Sequence, residues 1–298
     1  MIPEIEIPGH SKAALAAYPQ YSCTGGPFEI PTGFGIFKDI YCPGKESTFT
    51  FLQNILDEMM DLFPTRYIHI GGDEAPKARW KKCPDCQRRM IEEGFKEEQA
   101  LQGYFTNRIA DYLAMHNRTI IGWNQALSDN LHPDALIQYW AGNRKRVINA
   151  VRNGRKIVIS SYLDYYLDHS YSLTPLSRVY NFEPVFAELN QSDVQNILGV
   201  EAPLWTEYVP NRARLDFQTF PRLLALAETG WTTKQYKNYA DFRVRLINFE
   251  DRLNYRDIHS AHAKDIQPSR LKRMFGLLTL LQPQQQITPR ENRSLEIN

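Results

Sequence analysis

A chain of 298 residues with 43% hydrophobic content is long enough for one large α/β domain or two ordinary ones, with a sizeable core. The formal net charge of +1 argues against a nucleic-acid binder held by a basic excess, and no apolar run reaches the ~18 residues that a membrane-spanning helix needs. The 16 Tyr, 15 Phe and 5 Trp suit a site that stacks on flat ligand faces.

The N-terminal MIPEIEIPGH has neither the basic start nor the apolar stretch of a signal peptide. It reads as a strand over 2–7, and a domain that opens on a core strand is expected to have lost something upstream. Apolar residues at helical spacing predict a helix over 47–63. RYIHI (66–70) is a strand, followed by one long polar-faced helix over roughly 85–115 that ends near Asn117. Strands follow at RTIIG (118–122), ALIQYW (135–140) and KIVIS (156–160), the last two separated by a helix over 143–153 that Gly154 closes. LGVEAPLW (198–205) is a sixth strand, with helices over 220–231 and 239–253. A barrel domain over 1–264 is expected, then a segment over 265–298 that holds one more helix (270–281) and a polar tail.

The four cysteines leave their role open. Cys83 and Cys86 form a CPDC element, but one CxxC is a weak zinc signal because a structural zinc takes four ligands. Cys23 and Cys42 flank a Gly/Pro-rich loop and are expected to form a disulfide if the protein is exported.

Strict β-then-α order implies a parallel sheet with helices packed outside it, as a doubly wound sheet or a barrel. His10, Asp73, Glu74, Trp123, Trp140, Tyr162, Asp164, Trp205 and Glu207 lie at or just past the C-terminal ends of strands. One rim fed by every strand is the (β/α) barrel arrangement, whereas an open sheet collects such residues at one switch point. Neither GxGxxG nor GxxxxGK[ST] occurs, so the common nucleotide fingerprints are missing.

In HIGGDE, two adjacent acids end a buried strand. Neighbouring side chains on a strand point to opposite sides, so Asp73 and Glu74 are not a pair of carboxyls facing each other about 5 Å apart across a scissile bond. One acid can serve the leaving group while the other holds a different part of the ligand. That division fits a substrate that supplies its own nucleophile. His69, inside the strand, reads as a satisfied core histidine, and Tyr165 and Tyr166 as packing residues.

HIGGDE, with IPEIEIPGH before it and GW, YLD and LWTEY after it, resembles glycoside hydrolase family 20, the β-N-acetylhexosaminidases, from residue 1 to about 256. The resemblance implies a (β/α)8 barrel of the TIM type and an exo-acting hydrolase. Its substrates would carry terminal β-linked N-acetylglucosamine or N-acetylgalactosamine, on glycans or chitooligosaccharides. It implies no metal and no other cofactor, because the substrate's 2-acetamido oxygen attacks the anomeric carbon to give an oxazolinium intermediate. Family habit implies a periplasmic or secreted location.

Carried across by motif, Glu74 is the general acid and base, Asp73 orients the acetamido N–H, and Tyr162 donates to the acetamido carbonyl. Trp123, Trp140 and Trp205 box the acetyl methyl and support the sugar. Asp164 and Glu207 bind its hydroxyls, and His10 stands beside the catalytic acids. Asn124 and Gln125 occupy positions where many relatives carry acids, a departure expected to alter contacts on the leaving side. The resemblance begins at the family's third strand, so the family's sugar-gripping arginine and an aspartate near the histidine have no counterpart. The expectation is a partial barrel, completed by a second copy or else poorly stable and active, since it would expose sheet edges. Two other readings stand beside this one: a sugar-binding remnant without turnover, and a metal-dependent hydrolase using His10, His69, Asp73 and Glu74. The latter lacks HExxH or comparable ligand spacing.

Overall fold

The computed structural model describes residues 1–33, 35–269 and 271–274. Residues 271–274 are helical, and the rest of the helix expected over 270–281, with the polar tail, lies outside the described residues. Two compact units are present. The first comprises 1–139 and 145–157, the second 140–144 and the chain from 158 onward.

In the first unit the opening segment runs parallel to β1 (Tyr67–His69). Ile5 N–H donates to His69 O at 2.9 Å, Ile7 N–H to Ile70 O at 3.0 Å, and His69 N–H to Pro3 O at 2.9 Å. The expected strand over 2–7 is thus real as pairing, although its regular ladder is a single bridge at Glu4. β2 (Thr119–Trp123) pairs in parallel with β1, Tyr67 opposite Thr119. β3 (Leu136–Tyr139) pairs in parallel with β2, Ile121 opposite Leu136. Every residue of β2 is buried, as expected where a parallel sheet is covered on both faces.

A short helix, α1 (Lys12–Ala17), follows the opening segment, and α2 (Glu46–Leu62) returns the chain to β1. The single helix expected over 85–115 is two, α3 (Pro84–Glu92) and α4 (Glu98–Met115). Gly94 takes φ +69°; its N–H reaches Ile91 O and the Phe95 N–H reaches Met90 O at 2.8 Å. That left-handed stop suits a residue without Cβ. Hydrophobic spacing overlooked it because each half keeps the helical period. α2 buries Phe49, Leu52 and Leu56, and α4 buries Leu101, Phe105, Ile109 and Leu113. The two helices meet where the Phe49 and Phe105 rings stand edge to face at 4.9 Å, and each such side chain contributes about 1.5–3 kcal/mol by leaving water. α5 (Arg144–Arg152) then leads to β4 (Ile157–Ile159).

The Cys23–Cys42 disulfide expected above is not formed: all four cysteines are free thiols. Their sulfurs converge, with Cys23 and Cys86 at 3.7 Å, Cys42 and Cys83 at 3.7 Å, and Cys42 and Cys86 at 3.5 Å.

In the second unit, the Glu201 N–H that follows β5 (Ile197–Val200) donates to Ile159 O at 3.0 Å. The strand expected over 198–205 stops at Val200, and the chain through Trp205 is irregular. Helices α6 (Tyr162–Tyr165), α7 (Leu176–Asn181), α8 (Gln191–Val194), α9 (Arg212–Thr219), α10 (Arg222–Trp231) and α11 (Tyr239–Tyr255) belong to this unit, as does the short α12 (Ala263–Ile266). The Tyr180 ring of α7 packs at a tilt on Phe242 of α11, 4.8 Å between centres, and its hydroxyl donates to Glu228 of α10 at 2.8 Å. Arg222 is fully buried. It donates to the carbonyls of His169 at 2.8 Å, Thr174 at 3.2 Å and Gln218 at 2.6 Å, and also to that of Leu167. Its guanidinium carbon lies 4.3 Å from the centre of the Tyr171 ring. Burial lowers its pKa to about 10, which still leaves it charged at neutral pH, so the loop 167–174 is wrapped on a buried cation. Among the described residues no helix is long and apolar enough to cross a membrane.

Candidate active site

The first unit brings three of the expected residues together. His10 Nε2 lies 3.6 Å from Asp73 Oδ2 and 3.5 Å from Glu74 Oε2, with side chains 34%, 13% and 27% exposed. His10 and Glu74 both adopt the left-handed backbone, φ +45° and +42°. The other two described non-glycine residues there, Asn117 and Asp257, directly follow the last turns of α4 and α11, where that conformation is ordinary. His10 and Glu74 have no such excuse. Backbone strain on the order of 1–3 kcal/mol per residue persists where the surroundings enforce it. Here the enforcement is visible: Gln125 accepts the Glu74 N–H at 2.8 Å, Gln102 donates to Gly72 O at 2.8 Å, and Lys77 binds both Gln102 and Ala75 O. Gln125 therefore positions the Glu74 backbone, which the expectation of altered leaving-side contacts did not foresee. The contacts of the Asp73 and then the Glu74 carboxylate push the His10 pKa up to about 10, so this imidazole is a cation at neutral pH.

Asp73 Oδ1 is buried and has no hydrogen-bond partner among the described residues. An acceptor removed from water without a donor costs about 1–3 kcal/mol. The site thus presents a bare carboxylate oxygen beside a strained acid.

Behind these residues lies a network that the sequence reading passed over. Glu4 and Glu6 occupy one face of the opening segment, two residues apart, while Ile5 and Ile7 occupy the other; two acids on one side of a core strand were the available signal. Glu4 Oε1 accepts the Trp123 indole N–H at 3.1 Å and lies 2.8 Å from His69 Nδ1. The same nitrogen is 3.1 Å from the Gly71 N–H. One nitrogen cannot both donate and accept, and the shorter, charged contact favours donation to Glu4. His69 is buried as expected, but its Nε2 has no partner among the described residues, so it is only half satisfied. Trp123, at the end of β2, is buried as well. Burial raises the Glu4 pKa, but His69, Glu6 and Trp123 together lower it further, leaving it below the usual carboxylate value.

Glu6 goes the other way. Burial first, then the charges of Asp73 and Glu4, push its pKa up to about 9. Gly71, at φ +63°, leaves the space it needs, since a Cβ there would lie 1.9 Å from Glu6 Oε2. Between the unfolded value of 4.5 and about 9, the folded state holds a proton that the unfolded state has released. Stability therefore falls as pH rises through that window, by at most about 1.4 kcal/mol per unit, and levels off above it. Glu6→Gln is expected to matter little for the thermal midpoint at pH 5 and to raise it relative to wild type by pH 8. A difference between the two proteins that does not change with pH would reject a protonated Glu6.

The second unit holds the other expected residues. Tyr162 donates its N–H to Trp140 O at 2.8 Å, and their rings stand edge to face at 5.6 Å. Tyr162 also packs against His169 at 4.6 Å, whose pKa burial lowers to about 4. Asp164, read as a ligand for sugar hydroxyls, has protein partners on both oxygens: Ser161 Oγ at 2.6 Å and Arg178 Nε at 2.9 Å. Trp205 and Glu207 follow β5, partly and largely exposed. Near them is Asp168, which sequence reasoning missed. Its Oδ1 is buried without a partner among the described residues, and burial, with Glu207 nearby, raises its pKa to about 6. Tyr165 and Tyr166 are buried, as expected of packing residues.

The model of "Glycosyl hydrolase family 20, catalytic domain" matches residues 1–234. A β-hexosaminidase of Porphyromonas gingivalis is 41% identical over 270 residues, which is 87% of this chain and 35% of that protein. The crystal structure of a β-N-acetylhexosaminidase from Bacteroides fragilis superposes with a TM-score of 0.78 at 33% identity, covering 89% of this chain and 55% of that one. An exo-β-N-acetylglucosaminidase of Vibrio harveyi, solved in complex with N-acetylglucosamine, gives 0.78 at 29% identity, over 88% and 43%. The chain thus spans between about a third and just over half of the length of these relatives, and the expected (β/α) barrel class is the fold it shares with them.

Proposed function

The chain belongs to glycosyl hydrolase family 20, and we propose that it acts as an exo-β-N-acetylhexosaminidase, releasing terminal β-linked N-acetylglucosamine or N-acetylgalactosamine with retention. The observation that carries this reading is the buried, partnerless Asp73 Oδ1 beside Glu74 on a strained backbone. A bare carboxylate oxygen calls for an N–H donor from a ligand, and a 2-acetamido group has one.

In this reading Asp73 accepts the acetamido N–H and turns the acetamido oxygen toward the anomeric carbon. Negative charge there also stabilises the cation that develops as the oxazolinium ring closes. Glu74 gives its proton to the glycosidic oxygen as the bond breaks, then takes one from the water that reopens the ring. The His10 cation holds the two carboxyls. The family resemblance assigns the acetamido carbonyl to Tyr162, apolar contact with the acetyl group and sugar to Trp123, Trp140 and Trp205, and sugar hydroxyls to Asp164 and Glu207. Substrates are glycans or chitooligosaccharides ending in N-acetylhexosamine, met in the periplasm or outside the cell.

Two aryl glycosides with the same leaving group test the proposal. The β-N-acetylglucosaminide is expected to be cleaved and the β-glucoside, which has no acetamido nucleophile, to be inert. Equal rates on both would exclude substrate assistance. Binding of N-acetylglucosamine without cleavage would leave a sugar-binding role instead.

A further inference from the structure

We propose that Cys23, Cys42, Cys83 and Cys86 form a four-thiolate site for a structural Zn2+ ion, which pins together the two chain segments that carry His10 and the acid pair. The four sulfurs lie within 4.8 Å of one another, and the three closest pairs are at 3.5, 3.7 and 3.7 Å. Thiolates about 2.3 Å from a tetrahedral Zn2+ stand about 3.8 Å apart. A disulfide would bring two sulfurs to about 2.05 Å. Here Cys86 is almost equally near Cys23 and Cys42, and Cys42 almost equally near Cys83 and Cys86. No pair is singled out. The arrangement is four-fold, and a fourth sulfur completes what the CPDC element lacked.

The backbone is built around this cluster. Cys83 and Cys86 bracket the first turn of α3, with Pro84 at its first position. Cys42 begins a turn, closed by the Lys45 N–H on Cys42 O, that carries the chain through Gly44. A Cβ on Gly44 would fall 2.2 Å from the Asp85 carbonyl carbon and 2.4 Å from the Cys86 nitrogen, so the two segments touch backbone to backbone. Three of the thiols are buried and Cys23 is half-buried. Buried thiols that meet only each other gain little from such weak hydrogen bonds, whereas an all-sulfur set with no open position suits a structural zinc.

The position of the cluster indicates its task. Cys23 ends the segment that starts at His10, and Cys83 ends the segment that starts at Asp73 and Glu74. The stretch leading to Cys42 ties in both segments again: Asp39 binds Lys12 and Arg79 at 2.9 and 2.8 Å, and Tyr41 O accepts the Trp80 indole N–H at 3.0 Å. The ion takes no part in the hydrolysis proposed above, and the inference does not depend on that reading.

Metal analysis of the full chain, purified without chelator, is expected to give about one zinc per chain. Ellman's reagent should then count four thiols only after a chelator has been added, with a lower thermal midpoint in the stripped protein. Co2+ in place of zinc should show the sulfur-to-cobalt charge-transfer and d–d bands of a tetrahedral thiolate site. Cys86→Ser is expected to lose the metal and to fold poorly. Cys23→Ser, at the half-buried ligand, should stay folded and bind Co2+ with altered bands. A folded wild-type chain without metal, two disulfides by mass spectrometry, or iron in place of zinc would each overturn the proposal.

Discussion

Glu74→Gln is expected to lower turnover of an aryl β-N-acetylglucosaminide by about 10²–10⁴-fold, the usual range for a positioned general acid and base. The amide has the carboxyl's shape, so the Glu74 N–H bond to Gln125 and the left-handed backbone should survive. Thermal midpoint and circular dichroism should therefore match wild type. The loss should be smaller for leaving groups that depart readily without a proton and larger for a sugar leaving group. A variant as active as wild type on both would remove Glu74 from the chemistry.

Arg222→Met is expected to destabilise the protein by about 3–5 kcal/mol, as when a buried charge network loses one member. The guanidinium satisfies the carbonyls of Leu167, His169, Thr174 and Gln218. A methionine of similar reach would leave those acceptors buried and unpaired, at about 1–3 kcal/mol apiece before relaxation. Arg222→Lys should recover only part of the loss, because one ammonium carries three donors and cannot match a planar fork of five. Thermal and urea unfolding measure this directly. A Met variant with the wild-type midpoint would mean that water or rearranged backbone replaces the arginine at little cost.

Much of this protein was legible before any fold was known. α2, α10 and α11 lie within two residues of their expected limits, because hydrophobic spacing reports which face of a segment is apolar and each segment shows its own. The Gly-Gly-Asp-Glu turn was equally local, since glycines at positive φ and two acids at a strand end are neighbours in the chain. The break at Gly94 was readable too and was overlooked.

Other features needed the tertiary structure. Trp123 and Glu4 bond across 119 positions and Cys23 and Cys86 meet across 63, while Asp164 meets Arg178 and Arg222 meets three distant carbonyls only once α7 and α10 are in place. Periodicity says that a side chain faces inward and is silent on what it meets there. An acid on an inward face can be paired and charged, as Glu4 is, or protonated, as Glu6 is. Which occurs depends on burial and on the nearest charge, and only packing brings those neighbours within the few ångströms over which they act.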